Sequence, residues 1–388
     1  MKIKSDIIKA MDSGEVTLSV MADFSKAFDT VDFEIMIEKL HKLNFSKSAL
    51  LLMSSYLSNR LQFVQINDKE SNRLTVLNGV PQGSILGPVL FNIYVHDMST
   101  NTDAECMQYA DDTSLYRHTR PQHFAECTEK IDNDIEDLQR WSKTQNLLFN
   151  SKKTKTMLFS TQQVARRYQF EYEIKSLDEK TIERVKTFKL LGITFSEDMK
   201  WNAHIKKATS KAYGTLKSLC RIKRYLPYHL RKQLAESLVL SQLDYGNALF
   251  INAPSYLIQQ MQRIQNATAS FVRGRYSNVS DVIALKWLPI RERAEFSMAK
   301  LAWKSMNSKN WPTFLPTEKM IPREGLRNPV HTGTMLVCPN IIIGSFEYDS
   351  SRIFNGLPQK CRDELDYNIF CSETKKHLLD QGLARSLV

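Results

Sequence analysis

The stretch QYADDTSLY, beginning at Gln108, sets Asp111 and Asp112 side by side between aromatic and small apolar residues. A solvated charge pair normally sits among polar neighbours. Burying either carboxylate in its ionised form is costly unless a cation or strong hydrogen bonds compensate it. The doublet therefore limits what the rest of the chain can build around it. MQYA and TSLY read as the two arms of a hairpin, which puts the aspartates at its turn and leaves the compensating partner to be found elsewhere.

EVTLSVMADF, beginning at Glu15, is a mostly apolar run of strand length with β-branched residues, and it ends at Asp23. A carboxylate where a strand meets its loop can face a reaction centre while the run behind it stays buried, so Asp23 is the natural third ligand. Three carboxylates from two strand ends can hold two Mg²⁺ ions roughly 4 Å apart, one activating a 3′-hydroxyl and both stabilising charge on a transferred phosphate. Such cations would permit the close aspartates. The plain alternative is an acidic pair in a surface turn.

NGVPQGSILGPVLFNIYVHDM is the third constellation. Gly79, Pro81 and Gly83 shape a turn that lets backbone approach a ligand, Gln82 offers amide hydrogen bonds, and Ser84 can cap the following helix, whose N-terminus favours phosphate. A simple loop-to-helix cap is the alternative. The helix itself reads as buried.

Elsewhere, Asp32 to Leu57 has helical spacing in two pieces broken near Asn44, and RLQFVQIN with RLTVLNGVPQG suggests another hairpin. Phe124, Cys127, Ile131, Ile135, Leu138 and Trp141 mark one stripe of a long acidic-faced helix, followed by a strand, TKTMLFS. This mixed order predicts an α+β fold with an antiparallel-containing sheet backed by helices, not a doubly wound parallel one. Thr161 to Lys180 reads as a peripheral hairpin, helices dominate from Trp201, and the proline-punctuated Asn307 to Arg327 reads as a linker into a C-terminal piece.

Charge divides the chain. Of its 388 residues, Met1 to Ser160 carry 18 Lys+Arg against 21 Asp+Glu, leaving 35 against 21 for the remainder. The second part is thus suited to holding a polyanion by its phosphates, unless its charge merely solvates a surface. In FKLLGITFSEDMKWNAHIKKATSKAYGTLKSLCRIKR, at about 100° per residue, Lys206, Lys207, Lys211, Lys217, Arg221 and Arg224 fall within one arc of roughly 140°. Ile205, Ala208, Ala212, Leu216 and Leu219 occupy the opposing side. Such a helix can dock on a core and face a phosphate backbone. The six cysteines show no CxxC and no Cys/His cluster, which argues against a zinc site or a disulfide framework. Neither an apolar signal core nor a membrane-length apolar run occurs, so the expectation is a soluble intracellular chain, nuclear or cytoplasmic.

ADFSKAFDTVD, GVPQGSILGPVLF, YADD, LLFNSKKTKTMLFS and FKLLGITF resemble, in order and spacing, the motifs of reverse transcriptases of non-LTR retrotransposons. WLPIRERAEFSMAKLAWKSMN and IFNGLPQKCRDELD resemble the segments C-terminal to the polymerase in these elements. The resemblance implies a palm with its primer-grip hairpin at 1–199, a helical thumb at 200–310 and an extension at 311–388. It implies RNA-directed DNA polymerase activity on an RNA template, a DNA primer and deoxynucleoside triphosphates, with Mg²⁺ as two ions or Mn²⁺ in their place.

By the same resemblance Asp23, Asp111 and Asp112 bind the metals, with the backbone carbonyl of Phe24. Phe28 resembles the gate that excludes a ribose 2′-hydroxyl, with Ala27 beside the incoming nucleotide; the alternative for Phe28 is a core aromatic. Gln82 and Gly83 resemble residues touching nucleotide and template. Lys153 resembles the lysine near the leaving pyrophosphate, with Lys152 a competitor because Ser151 stands where the family commonly has proline. Tyr109 is expected as a buried support under the primer terminus, or as core packing. Leu191 and Gly192 resemble the primer grip.

Only 22 residues precede Asp23, where the family places fingers and usually an endonuclease. The expectation is a truncated copy lacking both, whose activity alone does not follow from its carboxylates. The alternatives are a catalytically silent nucleic-acid-binding protein, or a metal-dependent phosphatase or nuclease, in which GVPQGS and the basic helix have no role.

Overall fold

A computed structural model describes residues 1–320, 333–339 and 342–387. The end of the expected Asn307–Arg327 linker and part of the 311–388 extension thus lie outside the described residues. The chain divides into two compact units, Gly14–Leu191 and Met1–Ser13 with Gly192–Val388. These units differ from the expected 1–199, 200–310 and 311–388 pieces. The first cut falls after Leu191, the N-terminal helix Lys2–Asp12 belongs with the later residues, and no cut separates 200–310 from 311–388.

Unit Gly14–Leu191 is built on a six-stranded sheet in the order Ile174–Lys175, Thr181–Arg184, Lys155–Phe159, Val16–Ala22, Asp112–Thr119, Glu105–Tyr109. Every pairing is antiparallel except that of Lys155–Phe159 with Thr181–Arg184. Val16–Ala22 is central and buried along its whole length, which is why it reads as a continuous apolar run and not as an alternation. Helix Phe124–Thr144 lays its predicted stripe against this sheet, with Ile131, Ile135 and Leu138 in one core with Leu18 and Val20. Each such side chain contributes roughly 1.5–3 kcal/mol by leaving water.

Helices Phe33–Lys42 and Lys47–Leu57 break where expected, at Asn44 with φ +62°. The expected hairpin forms as two nested pairs, Leu61–Gln62 with Leu74–Thr75 and Gln65–Ile66 with Lys69–Glu70. Helix Leu86–Val95 corrects the expectation of a buried helix, because Leu90, Phe91, Tyr94 and Val95 face the core while Leu86 and Val89 stay exposed. Its apolar residues surround the axis, but the core covers only one side of it.

The hairpin expected within Thr161–Lys180 forms further along, with Ile174–Lys175 pairing with Thr181–Arg184. Gln162–Tyr168 is a short helix whose start is set by Thr161, with Oγ1 accepting from Val164 N–H at 3.3 Å.

The other unit is helical, with Asn202–Ile222, Ser255–Arg273, Ile290–Asn307, Phe346–Asn355 and Tyr367–Leu387 as its main pieces. Lys2–Asp12 docks on Phe346–Asn355 through polar contacts. Ser5 Oγ donates to Glu347 Oε2 at 2.9 Å, Lys9 Nζ lies 2.7 Å from Glu347 Oε1, and buried Lys4 lies 3.8 Å from fully buried Asp349. Among the described residues no helix is long and apolar enough to cross a membrane.

Candidate active site

The central strand runs antiparallel to Asp112–Thr119, with Val16 opposite Thr119 and Ala22 opposite Thr113. Asp23 follows where this pairing ends, and its negative charge acts on Asp112. The remote third carboxylate therefore reaches the doublet through strand register, and a one-residue slip would aim it at the other face. In the neighbouring hairpin Tyr109 pairs with Asp112, leaving Ala110 and Asp111 as a two-residue turn. Ala110 takes φ +54°, a left-handed conformation that costs a non-glycine residue about 1–2 kcal/mol. Strain at this turn is held by the paired arms.

The electrostatics follow from the geometry. The Asp112 carboxyl is held above its ordinary value by burial first, then by the negative charges of Asp111 and Asp23. Asp23 Oδ2 is shielded from solvent and has no hydrogen-bond partner. The cation facing it is Lys153, with Nζ 3.8 Å away.

That lysine is placed by the turn after Phe149. Asn150 N–H donates to the Asp23 carbonyl at 2.8 Å, Asp23 N–H donates to Thr154 Oγ1 at 3.2 Å, and Lys153 N–H donates to Asn150 Oδ1 at 3.2 Å. The turn thus wraps the backbone of Asp23 and turns Lys153 toward its side chain. Of the two competing lysines, Lys153 is the one paired with Asp23. Asn150 and Thr154 went unnoticed in the sequence, although an Asn opening a polar turn is the local signal for such a brace.

A shielded carboxylate oxygen without a donor, beside two further carboxylates, is a donor set that suits a hard divalent cation. As they stand the three are not drawn into one ligating cluster. Among the described residues no group of three or more His, Cys, Asp or Glu side chains is arranged to hold a metal ion. Three like charges repel, and only a cation among them would offset closer approach.

The residues expected around an incoming nucleotide lie on the same unit. Phe24 is buried and pairs with Phe149, their rings edge to face at 6.0 Å, and Ala27 is buried. Phe28 is half-buried, stacked on Phe91 at 4.2 Å and 21°. Gly79 N–H donates to Val31 O at 2.7 Å and Val80 N–H to Phe28 O at 2.9 Å, stapling the Phe28 loop to the 79–84 turn. Gly79 has φ +90°, and a Cβ there would meet the Asp29 backbone at 2.8 Å, so only glycine allows this approach. Gln82 Nε2 donates to Asp29 Oδ1 at 2.7 Å, a partner that periodicity gave no means of finding. Gly83 is exposed with open space at its Cβ position. Ser84 Oγ accepts from Gly87 N–H at 2.9 Å, the cap that the sequence suggested.

Tyr109 corrects an expectation. It is 67% exposed, neither a buried support nor core packing, because the last position of the strand lies beyond the helices that cover the sheet. The predicted nucleic-acid face lies on the other unit. Lys206, Lys207, Lys211, Lys217 and Arg221 are exposed along Asn202–Ile222, Arg224 is exposed just past it, and Ile205, Ala212, Leu216 and Leu219 are buried opposite. Leu191 and Gly192 take φ +45° and +83°. A Cβ on Gly192 would come 3.0 Å from the Tyr245 ring.

Residues 3–195 match the family model of the reverse transcriptase (RNA-dependent DNA polymerase). The RNA-directed DNA polymerase from the mobile element jockey of Drosophila melanogaster is 24% identical over 278 residues, covering 69% of this chain and 29% of that protein. The probable RNA-directed DNA polymerase from transposon X-element of the same species is 24% identical over 285 residues, covering 70% of this chain and 30% of its own length. The chain thus spans less than a third of these curated relatives. Apo telomerase from Candida tropicalis aligns with a TM-score of 0.40 at 12% identity, over 99% of this chain and 54% of that one. With the five motif blocks in order and the aspartates at one end of the sheet strands, residues 3–195 belong to the reverse transcriptase family, and the chain is related to the polymerases of non-LTR retrotransposons.

Proposed function

We propose that the chain carries out RNA-directed DNA synthesis, transferring deoxynucleotides to a DNA primer 3′-hydroxyl on an RNA template, with pyrophosphate released. The observation that supports this best is that the strand pairing ends at Ala22 and Thr113 and leaves Asp23 close enough for its charge, with that of Asp111, to raise the Asp112 carboxyl. In this reading Gly14–Leu191 is the palm. Asp23, Asp111, Asp112 and the Phe24 carbonyl would hold two Mg²⁺, or Mn²⁺ in their place. Bound divalent cations would favour the ionised primer hydroxyl and offset the charge developing on the phosphate.

The chain's own residues do the rest. Lys153 brings a positive charge to the edge of the carboxylates, where it neutralises departing pyrophosphate. Phe28, pinned by Phe91, turns away a ribose 2′-hydroxyl, with Ala27 behind it. Gln82, oriented by Asp29, reads the nucleotide, and Gly83 leaves room for template backbone. Tyr109, exposed beside the doublet, offers its ring to the primer terminus by stacking. In the other unit the six basic side chains of the Asn202–Ile222 region hold phosphates as a thumb does; Leu191 and Gly192, where the two units join in sequence, form the primer grip.

A second reading, catalytically silent nucleic-acid binding, is favoured by the exposure of all six basic side chains, which need no metal to act. Primer extension on an RNA template separates the two. Polymerase activity requires extension that falls roughly a thousandfold in Asp111→Asn, Asp112→Asn. Duplex binding without extension in either protein leaves only the silent reading.

A further inference from the structure

A cavity of about 500 Å³ lies within the unit containing Gly192–Val388, walled by the π-helix Ala235–Leu240, the 286–288 loop and helices Ile290–Asn307 and Tyr367–Leu387. A six-residue π-helix is rare, and such segments occur often at functional sites. The acids of the cavity are already paired with other cations, Asp244 with Arg293 and Glu236 with Lys232 at 4.0 Å, and Glu236 also accepts from Trp287 Nε1 at 2.6 Å. Lys286, Lys300 and Lys375 line the same space, and none has an ion-pair partner among the described residues. Three uncompensated cations on one cavity favour an anion.

The remaining walls narrow the choice. Asn247 lines the cavity, and its carboxamide makes no hydrogen bond to the described residues, which leaves a donor and an acceptor free for a ligand. Phe296 adds an aromatic surface, with Lys300 Nζ 4.7 Å from its ring centroid, and Trp287 is nearly buried beside it. A bare phosphate would satisfy the lysines alone. A heteroaromatic base carrying a phosphate would satisfy the amide, the ring and the lysines together, and the volume suits one such unit.

We propose that this cavity, where unpaired Asn247, Phe296 and three uncompensated lysines converge, binds a single phosphorylated nucleotide, either free or as one unit of an RNA strand. The site is separate from the aspartates and does not depend on the polymerase reading. The test photolabels the full-length chain in EDTA with 8-azido-ATP, using AMP, a five-nucleotide RNA or inorganic phosphate as competitor. Label is expected in the peptides spanning 286–300, and equally so in Asp111→Asn, Asp112→Asn, so that failure of the polymerase reading leaves this result standing. Competition by the RNA alone assigns the strand, and competition by AMP assigns the free nucleotide.

Lys300→Glu with Lys375→Glu should weaken labelling at least about tenfold. Asn247→Ala should weaken competition by AMP. The proposal is overturned if these peptides stay unlabelled at millimolar probe, or if phosphate competes as well as AMP. It also fails if the double lysine variant, with a wild-type unfolding midpoint, labels as strongly as the parent.

Discussion

At the scale of residues, the aspartate site is a set of like charges held together by backbone geometry. Asp112 bears its consequence, since burial and then Asp111 and Asp23 raise its carboxyl pKa. A raised carboxyl pKa means that the folded state binds the proton more tightly than the unfolded chain. Stability therefore falls as pH rises from the ordinary value through the raised one, and at neutral pH ionised Asp112 is a net cost. Asp112→Asn should raise the thermal midpoint at pH 7 and abolish stabilisation by added Mg²⁺; a lower midpoint in metal-free buffer would contradict the repulsion. Phe28 gives a different readout. Its stack on Phe91 fixes the ring, so Phe28→Val should shift the ratio of ribonucleotide to deoxynucleotide incorporation upward by roughly tenfold. An unchanged ratio with intact extension would make Phe28 a packing residue only.

At the scale of elements, two kinds of signal behaved differently. Helix Phe124–Thr144 and helix Asn202–Ile222 were legible because their apolar residues recur at helical spacing and bury one side. The helix Gln162–Tyr168 was missed because it has no buried face and announces itself only through its Thr161 cap. The exposure of Tyr109 is not legible in the sequence, because period and composition do not tell where the covering layer of a sheet stops. The basic side of Asn202–Ile222 makes a measurable prediction. Replacing Lys206, Lys211 and Lys217 by alanine should reduce the slope of log binding constant against log salt by about 2–3 for a duplex, since each phosphate contact contributes roughly 0.9. Those lysines are exposed, so the unfolding midpoint should hardly move. A slope equal to that of the parent would remove this face from the interface.

At the scale of the whole molecule, the N-terminal helix belongs to the unit formed by Gly192–Val388, which no local pattern announced. The tie is a buried polar cluster. Asn252 Nδ2 donates to both carboxylate oxygens of Asp349 at 2.8 Å, and Lys4 faces the same carboxylate. Asp349→Ala leaves Lys4 buried without its counter-charge and should cost about 3 kcal/mol in denaturant unfolding. Burial pushes the Lys4 ammonium down to about 8, against the partial opposition of Asp349. A lowered lysine pKa means that the unfolded chain binds the proton more tightly between about 8 and 10.5, so stability rises with pH across that window. Lys4→Met should flatten that rise relative to the parent; a parallel profile in the two proteins would show that Lys4 carries none of it.

What the sequence determined by itself was chemical and local: carboxylates at the end of an apolar strand, an acidic doublet between two hairpin arms, a glycine-shaped loop and a helix with a basic side. Those features come from residue type and spacing, which act over a few residues. Tertiary structure decided everything that depends on pairing between distant segments. It brought Asp23 near Asp112 where the strand pairing ends, chose Lys153 through the Asn150 turn, tied Gln82 to Asp29, and drew Lys2–Asp12 to Phe346–Asn355. The reason is that each of these contacts is satisfied only when burial of a shared core has already fixed two backbones relative to one another, and that energy is summed over the fold, not written at either position.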